Sequence, residues 1–348
     1  MLRWREGGWV FVLAVALMAA IMAWRLPGML ASEGAVGDGK DPASYGFDLS
    51  RLTVDGEQLT ASGMPRDGLR ALEDPPPATV AEIDALSWGG HGHGHFLVPD
   101  DRVIGVVAGG QARAYPLSIL NWHEVANDTL GGVPIVVTYN PLAEAAAVFD
   151  RRVDGAPRSF GFSGLLLASS LVMYDGGGET SSLWAPLIGA GIGGPAAGEP
   201  LATVEYALVR WGDWLDRHPD TTVMAPDLDL KRVYKRKPYE SYRGSQRLRF
   251  SVDPLPDDPE LALKDPVVAV EIAGSRQVFP VARIYERAGD GGSWRASLGG
   301  QSVEFQTGTS PTVFVTADGG TSRVWYASWF AWYALHPDDP VLPAVEAQ

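Results

Sequence analysis

The feature that most constrains this fold is a pattern that occurs twice. Asp101-Arg102-Val103-Ile104-Gly105-Val106 is followed by Gly110-Gln111-Ala112-Arg113-Ala114-Tyr115-Pro116-Leu117. The same layout returns as Asp265-Pro266-Val267-Val268-Ala269-Val270 and Gly274-Ser275-Arg276-Gln277-Val278-Phe279-Pro280-Val281. Each copy reads as a β-hairpin, with two apolar runs around a glycine-containing turn and a proline that stops the second strand. Gly131-Gly132 and Gly299-Gly300 then open a further strand in each copy. Trp211, Trp214 and His218-Pro219-Asp220 also recur, as Trp329, Trp332 and His336-Pro337-Asp338. Tryptophans three apart and a histidine four further on share a helical face, and the proline ends the helix. Both histidines are read as caps whose imidazoles meet orphan carbonyls, in preference to metal ligands.

The duplication predicts an α+β, strand-rich body with two pseudo-symmetric repeats across residues 75–343. Repeat one covers about 101–224 and carries an insertion at about 153–202, whereas repeat two covers about 265–340. The 41 glycines and 26 prolines suit many turns and short elements. A chain of 348 residues is long enough to bury a substantial core around them.

Ahead of the body, Gly7 to Trp24 is a run without a single charged residue. As a helix it spans roughly 27 Å, close to the hydrocarbon thickness of a bilayer. Trp9 and Trp24 mark its ends, where indole rings favour the headgroup boundary, and Arg3 and Arg5 precede it. The expectation is a single-pass helix in the bacterial inner membrane, with residues 1–6 in the cytoplasm and the carboxyl-terminal body in the periplasm. A cleaved signal peptide fits less well, because cutting after Ala31 leaves Met29 at position −3. Residues 25–74 read as a periplasmic linker, rich in Gly, Asp and Ser, with Pro75-Pro76-Pro77 at the approach to the body.

Charge and cysteine content remove whole classes of function. A net charge of −14 lacks the basic footprint that nucleic acid demands. With no cysteine, disulfides, thiolate zinc sites, iron–sulfur clusters and covalent haem are closed to the chain.

Several short motifs follow one another in fixed order. They are Asn121-Trp122-His123-Glu124, Asn127-Asp128, Gly131-Gly132-Val133-Pro134 and Tyr139-Asn140-Pro141-Leu142-Ala143. Ser163-Gly164-Leu165-Leu166, Leu171-Val172-Met173-Tyr174-Asp175 and Ser182-Leu183-Trp184 come next. Together they resemble the bacterial family called domain of unknown function 3179. The match is dense between Asp101 and Pro219 and weaker in the second copy. Members of that family usually carry Tyr-Cys-Pro-Leu-Cys where this chain has Asn140 and Ala143. In a thiol-bearing member the resemblance implies that the residue at His123 activates or co-ligates a cysteine. Here it implies a vestigial pocket at His123, Asn140 and Ala143, with His123 kept as a buried hydrogen-bonding residue. It implies no reaction and no cofactor.

Other candidates come from the residues alone. Gly89-Gly90-His91-Gly92-His93-Gly94-His95 would bring His91, His93 and His95 to one side of an extended segment, and neutral imidazoles suit Zn, Cu or Ni. The alternating glycines favour a solvated loop instead, because ordering it costs about 1–2 kcal/mol per residue. Lys231, Arg232, Lys235, Arg236 and Lys237 form the basic cluster of an acidic protein, with Tyr234 and Tyr239 interleaved. Such a patch meets anionic lipid or an acidic partner face, or remains a solvated loop. Ser163 lacks the Gly-x-Ser-x-Gly elbow, and the glycine runs at 176–178 and 189–194 lack a phosphate-loop lysine.

These readings converge on a non-catalytic, membrane-anchored accessory subunit of an inner-membrane protein complex, such as a respiratory or photosynthetic electron-transfer assembly. The alternative is a periplasmic metal-binding protein or metalloenzyme that uses His91, His93 and His95.

Overall fold

The computed structural model describes residues 35–87, 94–176, 181–317 and 322–345. The expected membrane helix, with Arg3, Arg5, Trp9 and Trp24, lies outside the described residues, as do His91 and His93. No helix among the described residues is long and apolar enough to cross a membrane.

The body is α+β and strand-rich, with short helices packed around mixed and antiparallel sheets. Both hairpins read from the sequence are present. Strand Arg102–Ala108 pairs antiparallel with Gln111–Pro116, Val103 opposite Pro116. Strand Pro266–Ile272 pairs in the same way with Ser275–Pro280, Val267 opposite Pro280. Each terminal proline is followed directly by a helix, Leu117–His123 in one case and Val281–Ala288 in the other. Proline fits there because its fixed φ starts the turn and its missing N–H deprives the ladder of little at a strand end.

The element order after each hairpin is also shared. The first continues through strands Val125–Leu130, Val133–Asn140, Ala145–Asp150 and Glu205–Arg210 to helix Trp211–Arg217. The second continues through Ser293–Leu298, Gln301–Thr307, Val313–Ala317 and Ser322–Ser328 to helix Trp329–Leu335. In each run the last strand folds back beside the first: Arg210 stands opposite Arg102, and Ser328 opposite Pro266. The runs meet where Tyr326 pairs with Ala146, which joins strands of both into one seven-stranded sheet. Tyr206 reaches across this seam, its hydroxyl 2.7 Å from the Ala146 carbonyl and 2.8 Å from that of Val324.

The tryptophan helices end in closely similar corners. His218 and His336 are the carboxyl-terminal caps, and their backbone N–H groups donate to the carbonyls of Trp214 and Trp332. The His336 ring does meet a carbonyl, that of Leu187 at 3.1 Å, which lies outside its own helix. Each imidazole lies on the indole four residues earlier, with ring centroids 4.1 Å apart in the first corner and 4.4 Å in the second. Burial lowers the pKa of both histidines, that of His336 to about 4.

The segment expected to be an insertion supplies four strands of a five-stranded sheet, Phe160–Leu167, Ser170–Asp175, Leu183–Ala185 and Ala190–Gly193. The sheet's remaining strand, Leu59–Ala61, comes from the segment expected to be a linker. From Pro42 onward that segment is folded: Tyr45 is fully buried and donates its hydroxyl to the Met64 carbonyl at 2.7 Å. The glycines that suggested flexibility serve turns, as at Gly39 and Gly63, whose φ values of 78° and 86° suit a residue without Cβ.

Candidate functional site

The sequence motifs around His123 and Asn140 meet at the end of helix Leu117–His123. Helical geometry stops at Glu124, which takes a left-handed φ of 56°, and the chain then enters strand Val125–Leu130. That reversal turns His123 and Glu124 in different directions.

His123 is buried and bonded through both ring nitrogens. Nδ1 lies 2.7 Å from the Arg70 carbonyl and Nε2 lies 2.9 Å from the Tyr234 hydroxyl. A carbonyl only accepts, so Nδ1 carries the proton and Nε2 accepts from Tyr234. Burial lowers the imidazole pKa, consistent with this neutral tautomer. With both nitrogens engaged, His123 does not address Asn140.

Glu124 does. Asn140 donates Nδ2–H to Glu124 Oε2 at 3.0 Å, and its Oδ1 accepts the Ala143 N–H at 2.9 Å. The Glu124 carbonyl accepts the Tyr139 N–H at 2.9 Å, which ties the carboxylate's backbone to the same strand. Asn140 and Ala143 are both buried, so neither position presents a reactive group to solvent. No cation pairs with Glu124 among the described residues. Burial pushes its pKa up to about 8, against the Asn140 hydrogen bond that pulls it down.

The tight turn after Asn140 places a second, half-buried carboxylate. Glu144, at φ 49°, pairs with Arg102 and Arg243 and accepts the Tyr139 hydroxyl at 2.8 Å. Burial works against this carboxylate, but the Arg102 and Arg243 guanidiniums outweigh it and hold its pKa below the ordinary range. Arg243 also donates to Asn121 Oδ1 and the Tyr139 hydroxyl, each at 3.1 Å. Sequence reading found Asn121, Tyr139 and the region of Asn140 but missed the part played by Arg102 and Arg243. Those arginines come from distant segments and carry no local signature.

The basic segment lies at the edge of this site. Lys231 and Arg232 fall on the helical turn Lys231–Tyr234, whose Tyr234 is the hydroxyl partner of His123. Arg232, Lys235, Arg236 and Lys237 are exposed, and Lys231 is half-buried. Lys237 meets Glu240 at 3.7 Å, whereas the other four make no ion pair among the described residues. The interleaved tyrosine is therefore an internal anchor that holds a cationic turn outward.

The remaining candidates stand apart. His95 pairs with Ser87 in an isolated bridge, and its Nδ1 lies 3.4 Å from the Asp84 carbonyl. No group of three metal-ligating side chains converges among the described residues. Ser163 is fully buried, with its hydroxyl bonded to the Val172 carbonyl, a role in strand packing.

Neither the curated proteins nor the solved structures contain a match to this chain. A family model described as "Protein of unknown function (DUF3179)" matches residues 66–328, most of the sequence and nearly all of the folded body, and the chain belongs to that family.

Proposed function

We propose that this protein is a non-catalytic accessory subunit, anchored in the inner membrane by Gly7 to Trp24 and exposing its body to the periplasm. One observation carries the reading. The positions where relatives place cysteines hold Asn140 and Ala143, and the Asn140 side chain is used up by Glu124 and the Ala143 N–H. A site closed by its own hydrogen bonds is kept for structure, and the surface around it becomes the functional part.

That surface is the cationic turn at 231–237, with four side chains free of ion pairs among the described residues. On a protein of net charge −14 it favours an acidic face of a membrane complex. An electron-transfer assembly fits the expected location. The shared element order and hairpin register support reading the body as two repeats, with the insertion as a later addition to the first.

Two weak contacts, one in the bilayer and one at the patch, would act through effective concentration. Native gels of mildly solubilised membranes test this. Wild type should migrate within a larger complex. Removing residues 1–30, or neutralising Lys231, Arg232, Lys235, Arg236 and Lys237 together, should release it. Migration of the wild type as a free monomer overturns the reading. Stoichiometric zinc or copper lost on changing His91, His93 and His95 would favour metal binding instead.

A further inference from the structure

Beside the Glu144 cluster is a pocket of about 170 Å³. Its walls are largely apolar, built by Leu208, Val267, Val281, Pro311 and Tyr326. Arg102, Arg243 and Lys264 also line it, with Glu144 the single acidic residue in the lining. Three cations therefore face one carboxylate, which leaves positive charge uncompensated in a partly desolvated place. Arg102 and Arg243 also line a wider cleft of about 510 Å³, together with Asn121, Lys235, Arg236 and Lys237. Three acidic residues border that cleft too: Asp100 is bonded to Arg210, Asp101 accepts the Val98 N–H, and Glu240 lies against Lys237, which leaves the cations in the majority. The two arginines thus stand where an outer cationic cleft meets an inner apolar pocket.

We propose that this junction binds a small organic carboxylate bearing one ring or a compact branched chain. The carboxylate would lie against Arg102, Arg243 and Lys264, and the apolar group would fill the inner pocket. Size decides the second half of this assignment. A cavity of about 150 Å³ accommodates benzene, so the pocket takes one ring and excludes a lipid tail. Charge decides the first half. Guanidiniums present donors in a planar fork that matches a carboxylate, and their geometry is already fixed by Glu144 and Tyr139. Lys264 is held as well, its ammonium donating to the Tyr242 and Arg247 carbonyls at 2.6 and 2.9 Å. Preorganised cations lose little freedom on binding. The exposed lysines and arginine of the outer cleft would raise the local concentration of anions before capture.

The test uses the full-length protein in mild detergent with three probes, observed by saturation-transfer NMR and titration. Phenylacetate should bind. Phenylacetamide, which lacks the charge, and acetate, which lacks the ring, should each bind at least tenfold more weakly. Val281→Phe, which fills the pocket and leaves the cations in place, should weaken phenylacetate at least tenfold. Arg243→Gln should do the same, and thermal melts should first establish that each variant is folded. If Arg243→Gln does not fold, Val281→Phe and the neutral probe still decide the matter. The proposal is overturned if none of the probes binds at millimolar concentration. It is equally overturned if acetate binds as well as phenylacetate, or if Val281→Phe leaves phenylacetate binding intact. These readings use no membrane partner, so they stand or fall separately from the native-gel experiment.

Discussion

Glu124, buried, and Glu144, half-buried, flank the same pair of strands in sequence and both have positive φ, yet their pKa values move in opposite directions. Glu124 has an amide for company and is driven toward the neutral acid. Glu144 has two guanidiniums and a phenol, and remains a carboxylate. Burial alone thus says nothing about charge in this molecule. The partners that the fold delivers decide it, and here they come from segments far apart in sequence. Glu144 organises a surface where cations are in excess, whereas Glu124 closes onto Asn140 in the interior.

The largest expected effect comes from breaking the charged member of the pair. Glu144→Gln leaves Arg102 and Arg243 without their shared carboxylate. Removing one partner of a buried pair costs about 3–5 kcal/mol, and the arginine side chains here are 29% and 35% exposed. Solvent screening brings the expected loss to about 2–3 kcal/mol in urea unfolding at pH 7. Its folded pKa is lowered, so its contribution is present above the ordinary value of 4.5 and disappears as pH falls through the folded value. A loss below about 0.5 kcal/mol, the size of an ordinary surface change, would show that the cluster does not hold Glu144 charged.

The neutral member should respond with the opposite sign. A group whose folded pKa is raised contributes most below its unfolded value, and that contribution falls as pH rises toward the folded value. For Glu124 this window runs from 4.5 to about 8. Glu124→Gln should therefore be more stable than wild type at pH 8, where unfolding lets the wild-type carboxyl ionise, and this advantage should shrink steadily toward pH 5. The wild-type decline in stability across that window should flatten. If the variant follows the wild-type profile in parallel, the Glu124 carboxyl titrates normally and the contrast with Glu144 collapses.

This contrast was only half legible in the sequence. The hairpins and tryptophan helices were readable because their signals are local: alternating apolar residues, turn glycines, and a proline as the last strand residue. The motif around His123 drew attention to the right place but to the wrong side chain. His123 turns to Arg70 and Tyr234, while Glu124 faces Asn140, a division set by one left-handed residue. Arg243 reaches Glu144 across about a hundred residues of chain, and no spacing rule could have joined them. The segment from Pro42 to Leu72 was misread for a related reason. Its strand Leu59–Ala61 is three residues long and exists because the distant strand Phe160–Leu167 offers a partner.

A finer break concerns the phenol that both sides of the site share. Tyr139 bonds to Glu144 through its hydroxyl and to Glu124 through its backbone N–H. Tyr139→Phe removes the hydroxyl's bonds to Glu144 and Arg243, leaves the backbone one, and should cost about 1.5 kcal/mol, as expected for a hydrogen bond to a charged group. The loss should shrink in a Glu144→Gln background, where the acceptor is no longer charged, a double-mutant cycle that reports the coupling of the pair. Equal losses in both backgrounds would mean that the ring, and not the hydroxyl, is what the site needs.

The smallest expected effect separates structure from proton affinity at Glu124. Asn140→Ala removes the amide that donates to Oε2 and the oxygen that accepts the Ala143 N–H. At pH 5, where Glu124 is neutral in the fold, the cost should be about 1 kcal/mol for these lost bonds. The Asn140 hydrogen bond also lowers the Glu124 pKa, so without it the carboxyl holds its proton to a higher pH. The decline in stability that ends near pH 8 in the wild type should then continue further into the alkaline range. Chemical-denaturation midpoints measured from pH 5 to 9.5 would reveal that extension. An unchanged upper limit, with the same cost at every pH, would mean that Asn140 braces the turn to Ala143 without influencing the acid beside it.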